Sequence, residues 1–332
     1  NMNSIKKILF INFGGLGDEI LFLPTILSIK KQFHNSEITL ALEPRSKGII
    51  SLTNVIDKTF FANIKDSNKY LELAKLLMTI WQEHFDIVIS SGSNKFISLF
   101  LAATFIPQRI GYNTGKLSEI LLTHAVKLNK NQYAAKMYHD LIQDITDFKT
   151  DLPILNIERK NIRPNTVLIH PGVSKISIQK GMLKTITPEK WAKVVELLAK
   201  EGKHVLLAGG PDDKECIETI QRLDPQEFYE NLYGKTKNLK ELAELISIAE
   251  KFLCSDSAPL HIAVALGVKT FVIFGSTDDK KLIPQNENVI AIKNNYNCHL
   301  RPCLWERRQT TCEKPVCLDI SPEEIVEFIK NS

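Results

Sequence analysis

The stretch KFLCSDSAPLHIAVALGVKTFVIFGST, residues 251–277, holds two predicted strands, a helix between them and a polar loop after each strand. The apolar run Lys251–Cys254 predicts the first strand, and the β-branched and aromatic run Lys269–Phe274 predicts the second. Polar residues at 255–257 favour the start of a helix that ends at Gly267. A strand, a helix and a second strand in this order predict a parallel pair in an α/β sheet.

The loop that opens this helix is a candidate anion site. The start of a helix has unpaired N–H groups and partial positive charge, and in a parallel unit it lies at the carboxyl edge of the sheet. Asp256, Ser257 and His261 lie at this edge. A capped helix in an ordinary α/β domain, with His261 as a core histidine, explains the same residues, so both interpretations stand on this stretch alone.

Length and composition predict a soluble protein of two domains. The chain has 332 residues, more than a single core usually supports, and its 44% hydrophobic and 24% charged residues are typical of globular proteins. The formal net charge of +4 is mild and no basic block is present, which argues against a nucleic-acid partner. The first apolar run is too short for a signal peptide and no stretch has the length of a membrane span, so we expect a cytoplasmic protein.

The first half of the chain begins with the same pattern. Lys7–Phe13 predicts a buried strand, Gly14–Asp18 a glycine turn, and Glu19–Phe33 an apolar helix. The glycines allow positive φ and close approach of a ligand, with Asp18 beside it. The dinucleotide fingerprint is not matched, because its third glycine is missing. Further predicted elements alternate as in a doubly wound sheet, with strands at 37–42, 58–62, 86–90 and 109–112 and helices at 67–82, 94–104 and 134–145.

The second half repeats this organisation after a linker. Residues 150–164 contain two prolines and little periodicity, and Thr166–His170 then predicts a strand that leads into Gly172. We therefore predict an α/β protein of two Rossmann-like domains, residues 1–155 and 165–332, facing across a cleft that holds the ligand. Its later elements are predicted at 188–200, 204–208, 213–222 and 239–249.

Six motifs in order resemble those of glycosyltransferase family 9, the heptosyltransferases of lipopolysaccharide core synthesis. They are GGLGDEILFLP (Gly14–Pro24), HPG (His170–Gly172), KTITPEKW (Lys184–Trp191), AGGPDD (Ala208–Asp213), SDSAPLHIAVALG (Ser255–Gly267) and FGST (Phe274–Thr277). Each motif alone is weak, but their order and spacing cover nearly the whole chain. The resemblance implies a GT-B fold with an N-terminal acceptor-binding domain and a C-terminal nucleotide-sugar-binding domain. It also implies a last helix that packs back on the first domain.

The resemblance implies inverting transfer of a heptose from ADP-heptose to a hydroxyl of a lipopolysaccharide-core acceptor, with no cofactor or divalent metal required for transfer. The partners are then a nucleotide sugar and a glycan or glycolipid acceptor, in the cytoplasm. The mild positive charge is compatible with peripheral contact with the inner membrane. Transfer of another sugar from another nucleotide, a non-catalytic nucleotide-sugar-binding protein and a nucleotide-sugar epimerase of similar shape are the alternatives.

Asp18 is the candidate catalytic base. An acceptor hydroxyl loses its proton as it attacks the anomeric carbon, and a positioned carboxylate assists this step. Gly15 and Gly17 belong to the turn on the acceptor side. The alternative role for Asp18 is a helix N-cap, which does not exclude catalysis.

A departing nucleoside diphosphate needs fixed cations or hydrogen-bond donors where no metal serves. The resemblance places Lys184 against the phosphates, with Lys180 in the same loop as the competing residue and a solvated surface charge as the alternative for either. The N–H groups of Ser257 and Ala258 at the start of the helix are expected to bind the same anion.

Five other residues complete the predicted donor site. The resemblance implies that His261 donates to a phosphate or sugar oxygen and that Asp256 accepts from sugar hydroxyls. Asp213 matches a family position that contacts the nucleoside ribose, and a helix cap is its alternative role. Gly172 and Ser174 are expected to line the phosphate side.

Four cysteines, Cys298, Cys303, Cys312 and Cys317, have the spacing C-x4-C-x8-C-x4-C. In a cytosolic protein this favours thiolates on zinc or iron over disulfides, although the spacing departs from the C-x2-C knuckle. Some members of the family carry iron on a cysteine cluster, but their C-x-x-C pairs are not matched here. A structural zinc or iron, reduced cysteines without a ligand, and disulfides are the three interpretations.

Overall fold

The chain divides into two compact units, residues 1–156 and 157–332, and each unit contains one parallel six-stranded sheet. The α/β prediction, with two Rossmann-like sheets, is confirmed. The computed structural model describes residues 4–65, 68–149, 152–173, 179, 184–224, 228–295, 298, 301–303 and 316–332.

The first unit has the strand order β3-β2-β1-β4-β5-β6. Its elements are β1 (Lys7–Ile11), α1 (Leu16–Gln32), β2 (Glu37–Leu42), β3 (Lys58–Phe61), α2 (Lys69–Glu83), β4 (Ile87–Ser90), α3 (Ile97–Ala103), β5 (Gln108–Tyr112), α4 (Lys116–Leu121), β6 (His124–Val126) and α5 (Ala134–His139). A 3-10 segment, Pro44–Leu52, follows β2. Ile8, Leu9 and Phe10 of β1 have no exposed surface, because a central parallel strand is covered on both faces.

The second unit has the order β12-β11-β10-β7-β8-β9. Its elements are β7 (Arg163–His170), α6 (Pro188–Lys200), β8 (His204–Leu207), α7 (Lys214–Leu223), β9 (Glu230–Asn231), α8 (Leu239–Ile248), β10 (Ala249–Ser255), α9 (Ala258–Leu266), β11 (Lys269–Ile273), α10 (Asp279–Leu282), β12 (Val289–Ile292) and α11 (Pro322–Lys330). Ile325 and Ile329 of α11 are buried in the core of this unit together with Trp191 of α6.

The strand order of each sheet reverses at one point, between β1 and β4 in the first unit and between β7 and β10 in the second. In the second unit Cys254 is paired in register with His170, so both strands end side by side. Ligands of open α/β sheets bind at the carboxyl ends of the strands at such a switch point. The loops that follow β1, β7 and β10 are therefore the expected positions of a ligand.

Several element boundaries differ from the predictions. Helix α1 begins at Leu16, not at Glu19, and β7 begins at Arg163, inside the predicted linker. The sequence patterns also missed β6, β9 and β12, which have only two to four residues. Such short strands give no readable alternation, since they are defined by pairing with a neighbour far along the chain. Within the described residues, no helix combines the length and apolarity needed to cross a membrane.

Candidate active site

The glycine turn of the first unit places Asp18 inside the first turn of α1. Gly15 is the N-cap residue, and Asp18 Oδ2 accepts a hydrogen bond from the Gly15 N–H at 3.1 Å. Gly17 lies within the helix. Neither Gly14 nor Gly15 adopts a positive φ, so the first of the two expected reasons for these glycines was wrong. A Cβ at Gly14 would lie 2.5 Å from Asp18 Cβ, so close approach to the aspartate requires glycine there.

The second oxygen of the Asp18 carboxyl lies near a tyrosine. Tyr138 Oη, on α5, donates to Asp18 Oδ1 at 3.5 Å, and the Tyr138 ring packs edge-on against Phe22 of α1 at 5.5 Å. Burial, followed by the charge of Asp18, raises the pKa of Tyr138 well above its ordinary value. Tyr138 therefore keeps its proton and donates it in a hydrogen bond to the Asp18 carboxylate.

Two further carboxyls lie close to this turn and were missed in the sequence. Glu19 is 1% exposed, and neither of its carboxyl oxygens has a hydrogen-bond partner in the described part of the chain. Burial, then the charges of Asp18 and Glu43, raise the pKa of Glu19 well above its ordinary value. Glu43 directly follows β2 and contacts Arg45 Nε at 2.5 Å. Glu43 could have been found from the sequence, because a charged residue directly after a buried strand lies at the carboxyl edge of the sheet.

In the second unit, three predicted donor residues form one cluster. Lys184 Nζ lies 3.7 Å from Asp256 Oδ2, an ion-pair contact longer than a hydrogen bond. Asp256 and His261 are each 4% exposed, and among the described residues Asp256 Oδ2 and His261 Nδ1 have no hydrogen-bond partner. Buried polar atoms nearly always have a hydrogen bond in proteins, so an aspartate oxygen and a histidine nitrogen without one at a switch point indicate a ligand site.

Burial sets the protonation state of His261. It lowers the pKa of His261 to about 4, while Asp256 acts in the opposite direction and Lys184 lowers the pKa further. The imidazole is therefore neutral at pH 7. It offers one N–H donor and one acceptor to a bound sugar or phosphate.

The start of α9 lacks the side-chain cap that the sequence predicted. Ser257 is the N-cap residue, but its side chain makes no cap bond and instead donates to the Ser255 carbonyl at 3.4 Å. Within the described residues, side chains do cap five other helices, at Asn68, Thr187, Asn238, Asp278 and Ser321. A capping side chain would accept from the Leu260 N–H, since Pro259 has none, and here Leu260 donates to the Ser257 carbonyl at 3.1 Å instead. The N–H groups of Ser257 and Ala258, at the very start of the helix, lie outside the reach of such a cap.

A hydrogen-bond network anchors the segment that carries Lys184. Trp191 Nε1 donates to Thr185 Oγ1 at 3.0 Å, and the Thr185 and Ser255 hydroxyls are 2.7 Å apart. Both hydroxyls lie 2.9 Å from the Pro171 carbonyl. The network joins α6 to the ends of β7 and β10, so it fixes the lysine segment relative to the switch point.

Gly172 and Asp213 lie together at the ends of the neighbouring strands β7 and β8. A Cβ at Gly172 would come within 1.6 Å of Asp213 Oδ1, and Asp213 Oδ2 accepts from the Gly210 N–H at 2.8 Å. His170 Nε2 is 3.7 Å from the same carboxylate, and burial lowers the pKa of His170 and raises that of Asp213. Asp213 is thus a buried capping residue in this structure, the alternative role named for it; ribose contact stays a prediction.

The structure brings most predicted donor residues to one sheet edge, with Lys184, Asp256, Ser257, Ala258 and His261 around the start of α9. Ser174 and the competing Lys180 lie outside the described residues. In the first unit, Asp18 and the glycines of its turn lie at the switch point beside β1.

The cysteine prediction is tested only in part. Cys303 N donates to the Ser276 carbonyl at 3.0 Å, and Cys317 Sγ lies 3.3 Å from where a Cβ at Gly275 would stand. Among the described residues, no three His, Cys, Asp or Glu side chains form a metal-binding group, and Cys312 lies outside them. A structural zinc or iron is therefore not supported.

The chain is similar to known proteins over most of its length. The model of glycosyltransferase family 9 (heptosyltransferase) matches residues 73–312. Lipopolysaccharide heptosyltransferase 3 of Escherichia coli is 26% identical over 295 residues, covering 82% of this chain and 84% of the relative. Lipooligosaccharide heptosyltransferase 2 of Campylobacter jejuni is 24% identical over 328 residues, 95% of each.

A solved structure has the same fold. The structure of E. coli ADP-heptose lps heptosyltransferase II superposes with a TM-score of 0.73 at 19% identity, covering 98% of both chains. The predicted fold class, that of the two-domain heptosyltransferases, is therefore confirmed.

Proposed function

Because this chain belongs to glycosyltransferase family 9, we propose that it transfers a heptose from ADP-heptose to a hydroxyl of a lipopolysaccharide-core acceptor, with inversion at the anomeric carbon. It is a glycosyltransferase. The names of its relatives support heptose as the sugar and lipopolysaccharide as the acceptor class. The name of the solved enzyme supports ADP-heptose as the donor.

One observation carries the donor side of this proposal: buried atoms of Asp256 and His261 that have no hydrogen bond among the described residues lie with Lys184 at the start of α9. Lys184 and the first N–H groups of α9 supply positive charge and donors to the pyrophosphate. Asp256 accepts from sugar hydroxyls, and the neutral His261 donates to a sugar or phosphate oxygen. Fixed donors of this kind stabilise the charge that develops on the leaving group, so the proposed transfer requires no metal.

Asp18 is the proposed base on the acceptor side. Its carboxyl accepts hydrogen bonds from the Gly15 N–H and the Tyr138 hydroxyl, which fix its direction. A carboxylate held in this way takes the proton of the attacking hydroxyl as the bond to the anomeric carbon forms and the bond to the nucleoside diphosphate breaks. The predicted cytoplasmic location and the glycolipid acceptor belong to the same proposal.

The experiment is a thermal-shift panel of ADP-, UDP-, GDP- and CDP-sugars, followed by measurement of nucleoside diphosphate release with and without acceptor. A bound ligand raises the midpoint of unfolding according to its affinity and concentration. We expect ADP-heptose to give the largest shift, with rapid ADP release only when a core acceptor is present. Binding without release would favour the non-catalytic alternative, and epimer formation without acceptor would favour the epimerase.

Lys184→Ala tests the donor site directly. Loss of a charge-assisted contact with phosphate is expected to weaken donor binding about 10- to 100-fold, measured by calorimetry. Lys193→Ala removes an exposed lysine of α6 that pairs with Glu196, and it should leave donor affinity unchanged. A loss of affinity in Lys180→Ala but not in Lys184→Ala would transfer the phosphate role to Lys180.

A further inference from the structure

Three consecutive helices of the first unit lie on the same side of its sheet. Helix α2 connects β3 to β4, α3 connects β4 to β5, and α4 connects β5 to β6, and all three crossovers advance in the same direction through the strand order. Crossovers between parallel strands are right-handed, so helices that advance in one direction cover one side. The outer sides of these three helices therefore face in the same direction.

The outer surface of these helices carries large apolar side chains that no element of the described residues covers. We call it the apolar face and define it by Leu71, Met78, Trp81, Leu99, Phe105 and Ile120, which are between 44% and 79% exposed. On α2 the exposed Leu71, Met78 and Trp81 follow helical spacing, while Leu76 and Ile80 on the opposite side are buried. A surface helix normally has a polar outer side, so a helix that is apolar on both sides indicates a second contact surface.

Contacts between α2 and the end of α3 join the apolar face into one surface. Trp81 Nε1 donates to the Ala103 carbonyl at 2.8 Å, and the Trp81 and Phe105 ring centroids are 6.2 Å apart. Phe105 is 79% exposed and has a positive φ of 55°, a conformation that an aromatic residue rarely adopts. Packing within the unit does not explain a phenylalanine at this position.

A row of lysines borders the apolar face at the starts of the same helices. Lys69 and Lys116 are the first residues of α2 and α4, and Lys95 precedes α3 by two residues. Helices of a parallel sheet run opposite to the strands, so these lysines lie at the carboxyl edge, the edge of the Asp18 turn. We call these three residues the basic rim. Each is directly followed by an exposed apolar side chain, at Tyr70, Phe96 and Leu117.

The charges of the basic rim are not neutralised within the described part of the chain. None of its three lysines makes an ion pair there, although Lys95 Nζ lies 5.0 Å from the Phe96 ring centroid. The acidic residues of the three helices each have a partner in the first unit: Glu72 binds Lys75 and the Asn63 N–H, Glu83 pairs with Lys7, and Glu119 accepts from Asn113. A lysine at the start of α2 also opposes the helix dipole, so Lys69 is not explained by helix stability.

We infer that the apolar face and the basic rim together bind the surface of an anionic lipid bilayer. Apolar side chains enter the boundary between headgroups and acyl chains, and lysines pair with anionic headgroups. A bilayer suits both parts of this surface, because it offers an apolar interior to the apolar face and negative charge to the basic rim. A second copy of the chain presents lysines and not anions at its own rim, so it does not neutralise this charge by the same surface. The inference rests on the proposed function in one respect: a glycolipid acceptor lies in such a bilayer, and the basic rim shares its edge with Asp18.

The test is sedimentation with vesicles of phosphatidylcholine alone or with about 30 mol % phosphatidylglycerol, the anionic lipid. The wild-type chain should bind the anionic vesicles, with a blue shift of Trp81 fluorescence that is absent in Trp81→Phe. Lys69→Glu/Lys95→Glu/Lys116→Glu should lower binding at least about tenfold, since each lysine near an anionic surface contributes to affinity. Leu71→Ser/Met78→Ser/Ile120→Ser should lower binding to a similar degree. These changes lie at exposed positions, and circular dichroism verifies the fold.

The matched control is Lys235→Glu/Lys237→Glu/Lys240→Glu, which reverses three exposed lysines of the second unit. Equal loss of binding in this control and in the basic-rim variant would overturn the inference, because attraction would then follow net charge alone. Dimerisation that the apolar-face variant abolishes, without vesicle binding by the wild type, would also overturn it. Transfer to a water-soluble acceptor fragment needs no vesicle, so its failure would count against the proposed function and not against the lipid surface.

Discussion

Two helix starts of this chain, those of α1 and α9, occupy the switch points of their sheets, and both lack a side-chain cap from the N-cap residue. Their surroundings differ in charge. Around α1 the structure gathers the carboxyls of Asp18, Glu19 and Glu43, with Arg45 as their cation. Around α9 it places Lys184 and a neutral histidine beside a single aspartate. The same topology is thus suited to proton removal in one unit and to binding an anion in the other.

The largest expected effect comes from the carboxylate of the first unit. Asp18→Asn keeps an oxygen that accepts from the Gly15 N–H, so the turn is retained, but the amide cannot take a proton. We expect the rate of transfer to fall about 10²- to 10⁴-fold, the usual contribution of a general base, while donor affinity is unchanged. Single-turnover kinetics and calorimetry with the nucleotide sugar measure the two quantities.

Tyr138→Phe is the matched control for that variant. It removes the 3.5 Å contact to Asp18 and leaves the carboxylate in place, so we expect a smaller loss than in Asp18→Asn. Wild-type turnover in Asp18→Asn would exclude Asp18 as the base and leave the acidic surroundings of α1 without a catalytic role.

The second switch point was predicted from the sequence more completely than the first. Asp256, Ser257 and His261 lie within one continuous stretch, so helix geometry alone brings them together at one edge. Glu43 and Arg45 follow a different strand from Asp18, and only the pairing of β1 with β2 makes them neighbours. Ser255 and Pro171 are 84 residues apart in sequence and 2.9 Å apart in the fold, a contact that no local pattern encodes.

Residue type alone also did not predict whether an N-cap residue caps its helix through its side chain. Ser257 is a common N-cap residue, and Asn238 caps α8 through its side chain as expected, but Ser257 does not cap α9. The Ser257 hydroxyl donates instead to the Ser255 carbonyl two residues earlier, a competing local acceptor that residue type does not reveal. The absence of the side-chain cap was therefore visible only in the structure.

A smaller effect is expected in the pH dependence of folding stability, which differs between the buried titratable groups of the two sites. His261 has a folded pKa of about 4, below the ordinary 6.5, so the unfolded chain binds more protons between these values. Its contribution to stability is complete above pH 6.5 and is lost as pH falls towards 4, by about 2–3 kcal/mol. Glu19 has the opposite sign, because its raised pKa gives stability at low pH that is lost as pH rises through the folded value.

Urea unfolding of the wild type and of His261→Gln between pH 4.5 and pH 7.5 measures the histidine effect as a difference, in which the other titrating groups cancel. The variant should lose less stability on acidification than the wild type. His204→Gln, at an exposed histidine of the same unit, is the control. Parallel curves for the wild type and His261→Gln would mean that the imidazole is not buried as a neutral group, and the contrast with Glu19 would fail.

The smallest expected effect lies in the network that holds Lys184 in the second unit. Thr185→Val keeps the shape of the side chain but leaves the buried Trp191 N–H without its acceptor, so we expect a loss of about 1–2 kcal/mol in the free energy of unfolding. Donor affinity should also fall several-fold, since the adjacent lysine is less well fixed, and Thr185→Ser should restore both. Thr219→Val, which removes an exposed hydroxyl bond on α7, should change neither. A loss of stability with unchanged donor affinity would show that the network supports the core of the second unit without positioning the lysine.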